Sequence, residues 1–302
     1  MSDETPGRWA GRSVVVTGGS SGIGLAVARA LAREGAALTL AARSPQSLRV
    51  AADECGGLGG TVETVVADVL SPDDVDGVLA AALGRFGRVD AWVNTAAVVA
   101  YGRFEDVPAD TFRRVVDTDL HGTVHVARTA LRHFRAQREG TLVLLGSLLG
   151  EIATPYMSSY VTAKWAVRGL ARVLAVENRD LPDVHVCVVS PAGVDTPIYE
   201  LAANVLGRGG RPPVPVDAPE KVAAAVLRSL SDGRARRSVG PLNLLVRAGF
   251  ELTPRLFDLL VGPLMRAGGL TREPAPTGDG NVFEPVPELE RVRAGWSGRG
   301  RP

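Results

Sequence analysis

The chain has 302 residues, 45% hydrophobic and 22% charged, with a formal net charge of +1. That length suffices for a sizeable core, and the near balance of charge gives no electrostatic pull toward nucleic acid or a strongly acidic partner. Two cysteines, Cys55 and Cys187, are too few for a disulfide framework and point to a reducing compartment, the cytoplasm.

The opening "MSDETPGRWAGR" has no apolar core of the kind a secretory signal needs, and residues 1–10 read as a flexible N-terminus. No run of about 18 apolar residues follows, so no integral membrane segment is expected. Short β-rich runs then alternate with helical patterns: "SVVVT" (13–17), "ALTLAA" (37–42), "TVETVVA" (61–67), "VDAWVN" (89–94), "TLVLLGS" (141–147) and "VHVCVVS" (184–190). The segments between them carry apolar residues at three- and four-residue spacing. Six such alternations predict an α/β domain, a parallel sheet with helices on both faces. "RSVG" (237–240) is a candidate seventh strand.

Between the first strand and its helix stands "TGGSSGIG". Gly18 permits a tight turn, Gly22 and Gly24 let a pyrophosphate and the neighbouring strand approach the backbone, and the helix that starts there aims free N–H groups at the phosphates. The second strand ends in "LAARSP" (40–45). No carboxylate is available there for ribose hydroxyls; Arg43 and Ser44 suit a 2′-phosphate instead. The dinucleotide expected is therefore NADP(H) rather than NAD(H).

Further along, "YVTAK" (160–164) sets Tyr160 and Lys164 on one helix face, and Ser147 closes the preceding strand. A free phenol has a pKa of about 10, too high for proton exchange near neutrality. A nearby ammonium favours the phenolate, and a serine hydroxyl can hold a carbonyl or alcohol oxygen. Lys164 is one of two lysines among 32 arginines. A slim ammonium reaches past the tyrosine toward ribose hydroxyls where a guanidinium does so less well.

These motifs, in this order over residues 10–245, resemble the short-chain dehydrogenase/reductase family. The resemblance implies a single-domain, doubly wound Rossmann fold over residues 11–245 with seven parallel strands, and a homodimer or homotetramer. It implies that Gly18, Ser20, Ser21, Gly22, Ile23 and Gly24 form the cofactor loop. Asp68 and Val69 would contact the adenine end, and Asn94 and Ala96 of "NTAA" would line the cofactor. Pro191, Gly193, Val194 and Thr196 of "SPAGVDTPI" would hold the nicotinamide end, with a substrate lid at about 197–216. Ser147, Tyr160 and Lys164 would be the catalytic residues. Three departures stand out: Ala97 and Ala192 replace glycines, and Asp119, in "DTDLHG", takes the place of the family's asparagine. A carboxylate there would accept hydrogen bonds but not donate them when ionised. It would also pair with Lys164, weaken its pull on Tyr160 and shift the proton step toward alkaline pH.

The remaining signals read more plainly. His121 and His125 have the spacing of helical zinc ligands, but no third ligand is apparent, so no metal is expected. "GRARR" (233–237) reads as a solvated loop. The apolar stretch 240–268 reads as core or interface helices, with peripheral membrane contact the minority reading. Residues 246–302 form a C-terminal helical extension and, from about 271, a Pro-, Gly- and Arg-rich tail expected to be loosely ordered.

The function expected is NADP(H)-dependent hydride transfer between the nicotinamide and a secondary alcohol or ketone. The substrate is a small, hydrophobic molecule, since Leu148, Leu149, Tyr156, Ile198, Tyr199 and Leu201 around the site are mostly apolar. The alternative is a catalytically impaired NADP(H)-binding regulator or scaffold.

Overall fold

A computed structural model describes residues 7–297 of the chain. Residues 1–6 of the expected flexible start and 298–302 of the tail lie outside the described residues. Seven strands form the central sheet: β1 (Ser13–Thr17), β2 (Ala37–Ala42), β3 (Thr61–Val66), β4 (Ala91–Asn94), β5 (Gly140–Leu145), β6 (Val184–Pro191) and β7 (Arg236–Val239). Every pairing is parallel, in the order β7-β6-β5-β4-β1-β2-β3. Seven parallel strands, doubly wound, were the expected architecture, and "RSVG" supplies the edge strand.

The valine-rich strands follow from burial on both faces. In β1, Val14 and Val16 pack toward the layer that holds α1 (Gly22–Arg33) and α7 (Pro219–Asp232), while Val15 faces α3 (Pro72–Phe86) and α5 (Gly122–Gln137). All three valines are closed to solvent. Each such side chain contributes roughly 1.5–3 kcal/mol on burial. Local signals set the helix starts: Ser44 caps α2 (Pro45–Gly57) by accepting from the Ser47 N–H, and Ser71 caps α3 by accepting from Asp74, each with proline at the first turn.

The sheet order reverses between β1 and β4, which opens a crevice at their carboxyl ends. Two helical features deliver side chains to it. The first is α6 (Ser158–Glu177). The second is a wide π turn, Asp117–His121, that joins α4 (Ala109–Val116) to α5 and pushes Asp119 inward.

Beyond the sheet the structure narrows the compositional reading of 240–268 as core or interface helices. α8 (Asn243–Leu252) is anchored by the buried Asn243, whose amide donates to Ser238 Oγ and the Val239 carbonyl. α9 (Pro254–Gly268) buries none of its residues. Leu244, Leu245, Leu252, Leu256, Leu259 and Leu264 are exposed, so these helices are not core.

The stretch from residue 271 is not loose either. Leu270–Pro274 pairs antiparallel with Arg208–Gly210, and residues 278–297 run back over the crevice. Polar ties rather than hydrophobic periodicity hold this segment, which is why composition alone suggests disorder.

Candidate active site

The turn after β1 is shaped by absent side chains. Gly18 has φ +76°, and a Cβ there would come within 2.7 Å of the Ala96 nitrogen. A Cβ on Gly24 would meet the Gly18 carbonyl at 2.1 Å. The backbone of α1 therefore enters the crevice closely packed, its first N–H groups facing the cavity. Gly18, Ser20, Ser21, Gly22, Ile23 and Gly24 all line that cavity. So do Arg43, Asp68, Val69 and Ala96 toward one end, and Tyr160, Lys164, Pro191 and Thr196 toward the other.

The other expected cofactor residues stand behind this lining. The Ser44 hydroxyl is engaged as the cap of α2 and also accepts from Ser47 Oγ at 3.0 Å. Asn94 bridges Thr17 (2.8 Å) and Thr123 (3.0 Å), tying β4 to β1 and α5. Val194 is core, and Gly193 lies flat against Pro213, where a Cβ would meet the proline carbonyl at 2.4 Å. Asp68 accepts from Arg114 Nη2 at 2.7 Å.

At the far end α6 presents Tyr160 and Lys164 one turn apart. The Lys164 ammonium sits 5.3 Å from the centre of the Tyr160 ring and donates to the Leu145 carbonyl at 3.3 Å. Ser147 opens a short 3-10 turn, Leu148–Gly150, accepts from the Leu149 N–H at 3.1 Å and stands near enough to the Tyr160 phenol to lower its pKa. Gly150 lets that turn lie on α6: a Cβ there would come within 2.6 Å of the Lys164 carbonyl. The three residues are thus brought together.

Asp119 completes the cluster. It is fully buried, its Oδ1 accepts from the Val98 N–H at 2.9 Å, and its Oδ2 lies 3.3 Å from Lys164 Nζ. Burial pushes its carboxyl above the usual range, partly offset by Lys164 and the Val98 N–H. Burial also raises the Tyr160 phenol, the negative charge of Asp119 raises it further, and Ser147 works the other way. In the chain as it stands the phenol is less acidic than a free one, and the Lys164 ammonium beside it is paired with Asp119.

The wall beyond Tyr160 is apolar and aromatic. Tyr101, Met157 and Leu270 are buried there with Leu149, Tyr156, Ile198 and Tyr199 packed against them. Leu201 lies nearer the crevice, and Leu148 is not in this group. His121 pairs with Asp117 at 2.8 Å and His125 with the Val69 carbonyl at 2.9 Å, which ties both rings to the fold.

Asn281 and Glu290 also line the crevice, and sequence reading misses both. The run "NVFEPVPELE" (281–290) has no periodicity and no motif, so nothing local marks it as part of the site.

Comparison with known proteins places the chain in one family. A family model described as short chain dehydrogenase matches residues 12–204. The chain is 34% identical over 255 residues to the uncharacterized oxidoreductase YxnA of Bacillus subtilis, covering 83% of this chain and 72% of that one. It is 35% identical over 191 residues to a D-beta-hydroxybutyrate dehydrogenase of Rhizobium meliloti, covering 63% and 74%. An alcohol dehydrogenase structure from Thermococcus sibiricus, complexed with 5-hydroxy-NADP, superposes with a TM-score of 0.66 at 30% identity, covering 76% of this chain and 95% of that one.

Proposed function

The chain belongs to the short chain dehydrogenase family of oxidoreductases, and on that premise we propose that it interconverts a hydrophobic secondary alcohol and its ketone with NADP(H). The observation that carries this reading is the meeting of Ser147, Tyr160 and Lys164 at the crevice end, with an apolar wall beyond.

The glycine turn fits a dinucleotide: Gly18 and Gly24 let α1 pack closely on the strand end, and a Cβ on Gly22 would project toward Thr196, 3.5 Å away across the crevice. Gly18 to Gly24 would hold the pyrophosphate, Asp68 and Arg43 the adenosine, and Pro191 and Thr196 the nicotinamide side. When bound, that group supplies or accepts the hydride. Tyr160 gives its proton to the carbonyl oxygen as the carbon is reduced, and takes it back on oxidation. Ser147 holds that oxygen, and Lys164 stabilises the tyrosinate left after proton donation. A phenol kept protonated by burial and Asp119 is in the donating form near neutrality, though a weaker acid for it, which favours assay in the direction of carbonyl reduction. Arg43 and the relative complexed with 5-hydroxy-NADP support NADP(H) over NAD(H).

The apolar wall of Tyr101, Met157, Ile198 and Tyr199 supports a hydrophobic substrate. The exposed leucines of α8 and α9 support self-association in the reducing cytoplasm. The pairing of Lys164 with Asp119 favours one second reading, a dinucleotide-binding protein with impaired turnover.

An NADPH-oxidation screen across ketones, aldehydes and quinones, with Tyr160→Phe as the control, separates the two. Turnover that disappears in Tyr160→Phe is the expected result. Turnover that persists there refutes the assigned chemistry.

A further inference from the structure

The C-terminal segment contacts the crevice at the points where a dinucleotide's charged groups are expected to sit. At the glycine-rich turn, Ser20 Oγ donates to Glu290 Oε2 at 2.7 Å, and the Gly22 N–H donates to the Arg291 carbonyl at 2.9 Å. At the adenosine end, Arg43 donates to the carbonyls of Asn281 (2.6 Å) and Phe283 (3.0 Å). Each of these donors is one that the proposed reading assigns to a phosphate or its neighbourhood. One hydroxyl, one helix N-terminus and one guanidinium are thus already occupied by oxygens of the chain itself.

The segment is held at both ends by ties outside these contacts. Asn281 N–H donates to the Leu201 carbonyl at 2.8 Å. Asp195 accepts from the backbone of Ala294 and Trp296 and from Ser297 Oγ. Arg291 pairs with Glu200, and Arg293 with Glu220 at 2.7 Å. Val282 is fully buried in a cluster that includes Val98, Val115 and the partly buried Tyr160. Pro285 and Pro287 stiffen the span between, which lowers the entropy lost in keeping it in place.

We propose that residues 281–291 form an internal competitor of the dinucleotide: a strap that occupies its phosphate donors and must move before it binds. This rests on the dinucleotide reading above. A simple clamp over bound cofactor would leave Ser20, Gly22 and Arg43 free to donate; instead the strap's own oxygens take them. A carboxylate on Ser20 and a phosphate on the same hydroxyl would repel each other in a partly buried site.

The test measures NADPH and NADH binding by fluorescence titration on the full chain, alongside amide hydrogen exchange of residues 278–297. Glu290→Ala removes the carboxylate at the turn, and Arg291→Ala loosens the tie to Glu200 without touching the crevice donors. The expected result is NADPH affinity raised about tenfold in Glu290→Ala, the scale of one charged hydrogen bond. Arg291→Ala should move it in the same direction, and strap amides should exchange faster once NADPH is added to the wild type. Weaker binding in both variants, with strap amides protected by NADPH, overturns the proposal and makes the segment a clamp. Unchanged affinity and exchange also overturn it while leaving the dinucleotide reading intact. Failure of wild type and both variants to bind either dinucleotide overturns the dinucleotide reading and the strap's role with it.

Discussion

Asp119 Oδ2 lies 3.3 Å from Lys164 Nζ, with both side chains closed to solvent. A carboxylate in this place faces the one ammonium that the tyrosine depends on. Burial and the Asp119 charge both raise the phenol. In the proposed reading alcohol oxidation needs the tyrosinate, so its rate should rise with pH through the phenol's pKa. Ketone reduction needs the phenol and falls through the same point. Asp119→Asn removes the charge and should move both limbs toward acid, by on the order of one pH unit. Profiles of kcat/KM against pH in each direction check this. Unmoved limbs mean that Asp119 carries no proton-linked charge over the range tested.

The same pair predicts a stability coupling. Truncating one partner of a buried ion pair leaves the other uncompensated, at a cost of about 3 kcal/mol or more. Lys164→Met should therefore destabilise the fold strongly, and adding Asp119→Asn should restore part of the loss. Denaturant unfolding of the two single variants and the double variant gives the coupling. Strict additivity would show that the two groups do not interact.

Much of this site is legible in the chain because its chemistry is written in short-range patterns. The turn at Gly18, Gly22 and Gly24 follows a valine strand and opens a helix, so its spacing alone locates the crevice. Tyr160 and Lys164 share a helix face by arithmetic. What the sequence hides is long-range. Ser44 reads as a phosphate donor, yet its hydroxyl is buried and accepts twice from Ser47 at the start of α2, a cap that the motif does not reveal. Glu290 reaches Ser20 across 270 positions, and no local pattern encodes such a contact. α9 reads as core or interface because it is rich in leucine, yet hydrophobicity cannot say which surface covers a helix.

Arg43 carries the choice of dinucleotide in the proposed reading. Burial lowers its pKa, with the nearby carboxylates of Asp68 and Glu290 working against that and Arg114 working with it. Once released from the strap's carbonyls, a fork so placed would hold a 2′-phosphate through two donors, whereas an NADH ribose would give it nothing charged to grip. Arg43→Ala should weaken NADPH binding about tenfold and leave NADH within about twofold. Equal gains for both cofactors would assign Arg43 to holding the strap instead of reading the phosphate.

The cradle itself makes a prediction of opposite sign at two glycines. A Cβ on Gly24 would stand 2.1 Å from the Gly18 carbonyl and 2.5 Å from Thr95 Oγ1, so α1 would have to back away from β1. Gly24→Ala should cost about 2 kcal/mol of stability and abolish dinucleotide binding, because the N–H groups of the turn move with the helix. Gly77, inside α3, has nothing within 4 Å of its would-be Cβ. Gly77→Ala should stabilise by about 0.5–1 kcal/mol, through helix propensity alone. Thermal and denaturant unfolding of the two variants, with NADPH titrations alongside, separates a packed glycine from a merely permissive one. Equal melting points would show that the turn can absorb a methyl group and that close approach of α1 to β1 is not what holds the crevice open.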